Sequence, residues 1–267
     1  MQDLTFQICE SSTTSGSLHF IASTDFQNSN RHVVIMLHGA LRCCDSLAGW
    51  LPVLSRDYDM ILVDLPGHGR DRAIGNPSLS DYAVRLQDFI SVIDERRKVA
   101  VLGESLGGLV ALGLGQGTTP RVAAVMAADP PLSTAKQWCV RLNVQRPAIP
   151  MTPYQRALLT NMMGFDGDKI LKDHLYYPLI EKVRVPTLVI TGDTPLFPAL
   201  PDVKDIPKHV PCLIDEVDKA FIRQIGNPLV SVEIIRDAGH LCMDAANRQA
   251  CHIVRAFCSQ HLPPVAV

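Results

Sequence analysis

Ser105 stands in the run Gly103-Glu104-Ser105-Leu106-Gly107-Gly108, directly after the apolar stretch Val99–Leu102 and directly before Leu109-Val110-Ala111-Leu112. Strand, sharp turn and helix in that order put a hydroxyl at the apex of the turn, above a helix N-terminus. Such a strained apex needs neighbours without a Cβ, which Gly103 and Gly107 provide. A serine hydroxyl is a poor nucleophile at neutral pH, so a base must take its proton and a third group must hold that base in one tautomer. Of the nine histidines, His240 follows an apolar run and a small turn, Asp237-Ala238-Gly239. That placement lets an imidazole swing over Ser105. Acyl chemistry also needs two backbone N–H groups aimed at a developing oxyanion. Leu106 supplies one, directly after the nucleophile. Ala40, in the turn His38-Gly39-Ala40 after another apolar run, supplies the second.

Eight short apolar runs can carry these residues: Leu4–Cys9, Leu18–Ser23, His32–Leu37, Met60–Val63, Val99–Leu102, Val122–Ala127, Thr187–Ile190 and Val230–Ile235. The first two alternate, as a solvent-facing antiparallel edge hairpin does. The others are nearly continuous in Val, Ile, Leu and Met, the pattern of strands covered on both faces. Helical patterns lie between them: one capped by Ser80, with Tyr82, Leu86, Phe89, Ile90 and Ile93 on one face; one over Leu106–Gly115; one near Ile214–Ile225; and one over Ala246–Gln260. The alternation predicts an α/β fold, a doubly wound and mostly parallel sheet of eight strands. The stretch Leu132–Val183 is longer than one crossover helix requires and holds helix-like pieces at Trp138–Val144 and Tyr154–Met163. It predicts a small helical cap over 132–183, with the core formed by 1–131 and 184–267. Five prolines between Pro195 and Pro211 predict a stiff, extended loop.

Composition narrows the partners. The chain has 267 residues, with 25 basic against 27 acidic side chains and a net charge of −2, and no block of like charge. Nucleic acid and anionic membrane surfaces are disfavoured. No stretch reaches the roughly 18 apolar residues of a membrane span, and the first twelve residues lack the pattern of an export signal. The eight cysteines form no Cys-x-x-Cys pair and no metal-ligand spacing, which fits free thiols in a reducing cytoplasm. The expected partner is a small-molecule substrate, and no metal or organic cofactor is called for. Nothing in the sequence identifies an oligomer surface.

His38-Gly39 after a strand, Trp50, Asp64-Leu65-Pro66-Gly67-His68-Gly69, the Ser105 turn and Ala238-Gly239-His240 together resemble the α/β-hydrolase superfamily, in its order and over Val33 to about Leu241. The resemblance implies an eight-stranded core with a cap after the sixth strand, and a nucleophile, acid, histidine order. The acid departs from the commoner arrangement. Asp193 follows Gly192 too closely for the usual place after the seventh strand, and position 195 is proline. A minority arrangement puts the acid at the end of the sixth strand, where Asp129 stands. Asp129 is preferred, Asp193 stays open if its loop is shortened, and Asp237 is a weaker third.

The implied chemistry is a two-step acyl transfer through Ser105 and His240, with a carboxylic ester of modest, largely apolar character as the expected substrate. A lyase or carbon–carbon bond hydrolase using the same groups, and a non-catalytic binder on the same fold, are the alternatives. Glu104 is expected to face the protein as a hydrogen-bond acceptor. Arg42 either holds a substrate carboxylate or stays solvated. Leu132, Trp138, Met162, Met163 and Tyr176 are divided between substrate contact and core packing.

Overall fold

The computed structural model describes residues 5–117, 119–136, 151–166, 169–195 and 210–263. All eight apolar runs become strands of one sheet: β1 (Phe6–Thr13), β2 (Gly16–Ser23), β3 (Val33–Leu37), β4 (Asp59–Asp64), β5 (Val99–Glu104), β6 (Val122–Ala128), β7 (Thr187–Gly192) and β8 (Val230–Ile235). Their order across the sheet is β1-β2-β4-β3-β5-β6-β7-β8. The β1–β2 and β2–β4 pairs are antiparallel and all the others parallel.

The continuous apolar character of the inner strands follows from having a helical layer on each face. Along β3, Val33, Ile35 and Leu37 enter one core cluster while Val34 and Met36 enter the other; along β5, Val99 and Val101 part from Ala100 and Leu102 in the same way. The first cluster is covered by α1 (Leu79–Ser91) and α2 (Leu106–Leu114), the second by Trp50 and α6 (Arg248–His261) through Ala250, Val254 and Cys258. Two details differ from the sequence reading. The cap of α1 is Ser78, whose hydroxyl accepts the Asp81 N–H at 3.2 Å, while Ser80 lies inside the first turn. β8 is not covered on both faces: it is the edge strand, paired with β7 alone, and half its residues meet solvent.

Between β6 and β7 lie α3 (Pro153–Met163), a short hairpin pairing Phe165–Asp166 with Lys169–Ile170, and α4 (Tyr177–Lys182). The N-terminus of α3 carries a reciprocal cap between Thr152 and Gln155. Leu132, Met162 and Met163 are buried in the main core cluster, the packing side of the division expected from the sequence. The Tyr176 hydroxyl donates to the Met162 carbonyl at 2.8 Å. The expected helix at Trp138–Val144 lies outside the described residues, as does most of the proline-rich loop. Beyond that loop, α5 (Glu216–Ile225) is capped by Asp215 and begins two residues after the Ile214 of the sequence reading. Among the described residues no helix is long and apolar enough to cross a membrane. All described cysteines are unpaired.

The parallel strands end together. Leu37 pairs with Gly103, Glu104 with Ala128, Ala128 with Ile190, and Gly192 with Ile235. The residues that follow β3, β5, β6 and β8 therefore emerge on one edge. The connections from the strands leave in opposite directions at the β3–β5 junction, where open α/β sheets form their ligand crevice. The turn at this junction depends on two glycines. A Cβ on Gly103 would lie 2.0 Å from the Gly107 carbonyl oxygen, and one on Gly107 would lie 2.5 Å from the Leu37 carbonyl oxygen. Both obstacles are backbone. Gly103→Ala is therefore expected to cost about 3 kcal/mol or more, read as a lower urea midpoint with an unchanged m-value.

Candidate active site

Ser105 has φ 52° and ψ −113°, a conformation sparsely populated by residues with a side chain. Its N–H donates to the Ala128 carbonyl at 2.8 Å, and its carbonyl accepts the Leu109 N–H at 3.2 Å. The apex is thus fastened to β6 on one side and to α2 on the other. Leu106 opens α2, where the first N–H groups have no carbonyl within the helix. Across from it, β3 runs into His38-Gly39-Ala40-Leu41, with Leu41 at φ 62°. A Cβ on Gly39 would touch the Ser105 Cβ at 3.4 Å, so this loop lies directly against the apex. Among the described residues neither Ala40 N–H nor Leu106 N–H has a hydrogen-bond acceptor.

His38 fixes the loop. It is fully buried, its Nε2 accepts the Leu65 N–H at 3.0 Å, and its Nδ1 donates to the Gly39 carbonyl at 2.7 Å. That pairing requires the neutral tautomer. Burial, helped by nearby His68, pushes the imidazole down to about 3. Asp64 completes the frame, accepting the Cys44 and Arg70 N–H groups at 2.8 and 3.0 Å.

Asp129 and His240 meet. Asp129 follows β6, one residue beyond the pair Glu104–Ala128, and so stands beside Ser105 on the neighbouring strand end. It is fully buried and has φ 42°. Its carboxylate accepts the Thr191 hydroxyl at 2.8 Å and the N–H groups of Leu213 and Ile214 at 2.7 and 3.0 Å. The fourth donor is His240 Nδ1, at 2.6 Å. With Nδ1–H directed at the carboxylate, the His240 Nε2 lone pair is free to take a proton. The His240 N–H donates to the Val210 carbonyl at 2.7 Å, and the Trp50 indole N–H to the Met243 carbonyl at 3.2 Å, so the loop is tethered on both sides of the histidine.

Asp193 and Asp237 take no part in that contact. Asp193 is exposed and braces the turn before His240, its carboxylate accepting the Ala238 N–H at 3.3 Å and its own N–H donating to the Ala238 carbonyl at 3.0 Å. Asp237 is exposed within the same turn at φ 52°. Glu104 is buried, and its carboxylate accepts from Arg42 Nη1 at 2.7 Å. Burial pushes its carboxyl above the usual carboxylate range, against the pull of Arg42 and His240. Burial likewise pushes the Cys212 thiol, which lies within reach of the Asp129 charge, up to about 11. Cys242 is raised for the same reasons. These thiols stay protonated and do not compete as nucleophiles.

Thr191, Leu213 and Ile214 escaped the sequence reading. Thr191 left a trace, a hydroxyl one residue beyond an apolar run, but the two amides are backbone groups and leave none. Among the described residues no cluster of three or more metal-ligating side chains occurs.

The model of the alpha/beta hydrolase family matches residues 34–251, which includes every residue of the site just described. The chain belongs to the alpha/beta hydrolase family. Over shorter stretches it resembles two named proteins. It is 33% identical over 85 residues to the 2-hydroxy-6-oxo-6-(2'-aminophenyl)hexa-2,4-dienoic acid hydrolase of Metapseudomonas resinovorans, covering 30% of this chain and 29% of that one. It is 39% identical over 92 residues to the 2-succinyl-6-hydroxy-2,4-cyclohexadiene-1-carboxylate synthase of Pectobacterium atrosepticum, covering 29% of this chain and 35% of that one. The matched stretches thus span about a third of these relatives' length. The fold extends further: the Pyrococcus furiosus esterase Pf2001 superposes with a TM-score of 0.70 at 16% identity, over 97% of this chain and 92% of that one.

Proposed function

We propose that this alpha/beta hydrolase is a serine hydrolase that cleaves a small or medium acyl substrate, a carboxylic ester first of all. Ser105 attacks the carbonyl, His240 takes its proton and delivers it to the leaving group, and Asp129 holds His240 and stabilises its charged form. Ala40 N–H and Leu106 N–H receive the oxyanion. Water then enters by the same route and releases the acid. The observation that carries this reading is the 2.6 Å contact between a buried, fully hydrogen-bonded Asp129 and His240 Nδ1, at the strand end adjoining Ser105. The N–H groups of Ala40 and Leu106, without an acceptor among the described residues, support it. The insertion 132–183 acts as the cap, since the chain enters it from Asp129 and leaves it at β7.

Intact mass after exposure to a fluorophosphonate tests this reading. One adduct on the wild type, absent from Ser105→Ala and from His240→Ala, is the expected result; a folded wild type that gains no mass overturns it. Cleavage of a carbon–carbon bond by the same three groups is a second reading, favoured by the partial likeness to a hydrolase whose name specifies a 6-oxo-dienoic acid. Turnover of a 6-oxo-dienoic acid but of no ester, in a protein that takes up the label, decides for it.

A further inference from the structure

Arg42 is placed where the proposed acyl transfer alone does not require a cation. The positive φ of Leu41 turns the chain so that the Arg42 side chain folds back on the oxyanion loop. The point where a Gly39 Cβ would sit is 3.4 Å from the Ser105 Cβ and 3.9 Å from the Arg42 Cδ, so the arginine stem and the nucleophile flank the same spot. Glu104, the residue before the nucleophile, grips the guanidinium from below through Nη1 at 2.7 Å. The Glu104 side chain is 8% exposed and that of Arg42 34%. One end of the pair is sunk in the protein while the other reaches solvent beside the oxyanion loop.

A guanidinium whose only task was to neutralise Glu104 would gain most from a two-point contact, which its planar fork is shaped to make. Here the contact is single. Among the described residues, no acceptor meets Nε or Nη2. A cation with fixed orientation and unused parallel donors, beside a nucleophile, is built to receive a planar anion.

We propose that Arg42 determines specificity by binding a carboxylate carried on the substrate a few atoms from the scissile carbonyl, with Glu104 as the residue that positions it. The substrate class is then carboxylate-bearing acyl compounds, of which half-esters of short dicarboxylic acids are the simplest. This rests on the serine hydrolase reading given above.

The test compares mono-p-nitrophenyl glutarate with its neutral methyl ester, in the wild type, Arg42→Gln, Arg42→Lys and the double variant Arg42→Gln/Glu104→Gln. The double variant removes the buried uncompensated carboxylate that Arg42→Gln would leave. The wild type is expected to prefer the half-ester at least 10-fold in kcat/KM. That preference falls 10- to 100-fold in both glutamine variants, chiefly through KM, and returns in part with lysine. In parallel, calorimetry follows monomethyl glutarate binding to Ser105→Ala, with loss of at least 10-fold in affinity expected when Arg42→Gln is added. A wild type that prefers the neutral ester, or a preference and an affinity unmoved by Arg42→Gln, overturns the proposal even where fluorophosphonate labels Ser105. Failure to label with Arg42-dependent binding intact overturns the hydrolase reading instead.

Discussion

Ser105→Ala is expected to lower kcat on an activated ester by about 10^6-fold while leaving the fold intact. The estimate follows from the way nucleophile, base and acid act as one unit, so that removing the nucleophile alone forfeits nearly all of their joint contribution. What remains, roughly 10^3-fold over water, is expected to come from the two backbone donors proposed at Ala40 and Leu106 and from substrate binding. Stability is not at stake, because Ser105 is fastened through its backbone N–H and carbonyl, and these survive the substitution. Alanine at the strained φ of 52° is no worse placed than serine. Single-turnover kinetics on the purified variant, with its urea midpoint as control, checks both halves of the expectation.

Asp129→Asn is expected to cost about 10^4-fold in kcat, because an amide can offer its N–H to His240 and so favour the wrong tautomer. Asp193→Asn is expected to cost no more than about 3-fold, since its carboxylate braces a turn through an acceptor that asparagine keeps. Running the two side by side decides which carboxylate serves His240. A large loss at position 193 with little at 129 would reverse the assignment. Asp129→Asn also loses stability, because the Leu213 and Ile214 N–H groups and the Thr191 hydroxyl all depend on that carboxylate. About 2 kcal/mol is expected from a buried network of this kind.

The strand-turn-helix around Ser105 was legible because its chemistry and its sterics are local: two glycines, each with a backbone carbonyl where a Cβ would go, and an apolar run on one side. The five inner strands were legible for a similar reason, since burial on both faces writes itself as runs of Val, Ile, Leu, Met and Ala. Val230–Ile235 misled on this point. Ser231 and Glu233 interrupt it at alternate positions, the mark of a strand with one face towards solvent, and the run was nonetheless grouped with the inner ones. Ser78 and Ser80 were both able to cap α1, and only the reach to the Asp81 N–H separates them. Asp129 was preferred over Asp193 for its place at a strand end, but the contacts around it were not legible. What surrounds Asp129 is a hydroxyl from β7 and two amides from beyond the proline-rich loop, brought together by the fold and unmarked by side-chain type. Arg42 was legible as a cation near the oxyanion loop, but not as one gripped by Glu104, more than sixty positions away in the chain.

His38 carries a cost that the reaction never sees. An imidazole held near 3 in the folded protein and near 6.5 once the chain unfolds takes up no proton in the native state across that interval, while the unfolded chain does. The native state therefore weakens as pH falls below about 6.5, by roughly 1.4 kcal/mol for each pH unit and continuing down to about 3. His68, also lowered by its burial, adds to the same slope. Acidification would then loosen the scaffold itself, with one to two protons absorbed per molecule unfolded at about pH 5. Unfolding calorimetry in two buffers of different ionisation enthalpy counts those protons directly. The loop that keeps its shape through a neutral histidine makes the molecule less tolerant of acid than its reaction requires.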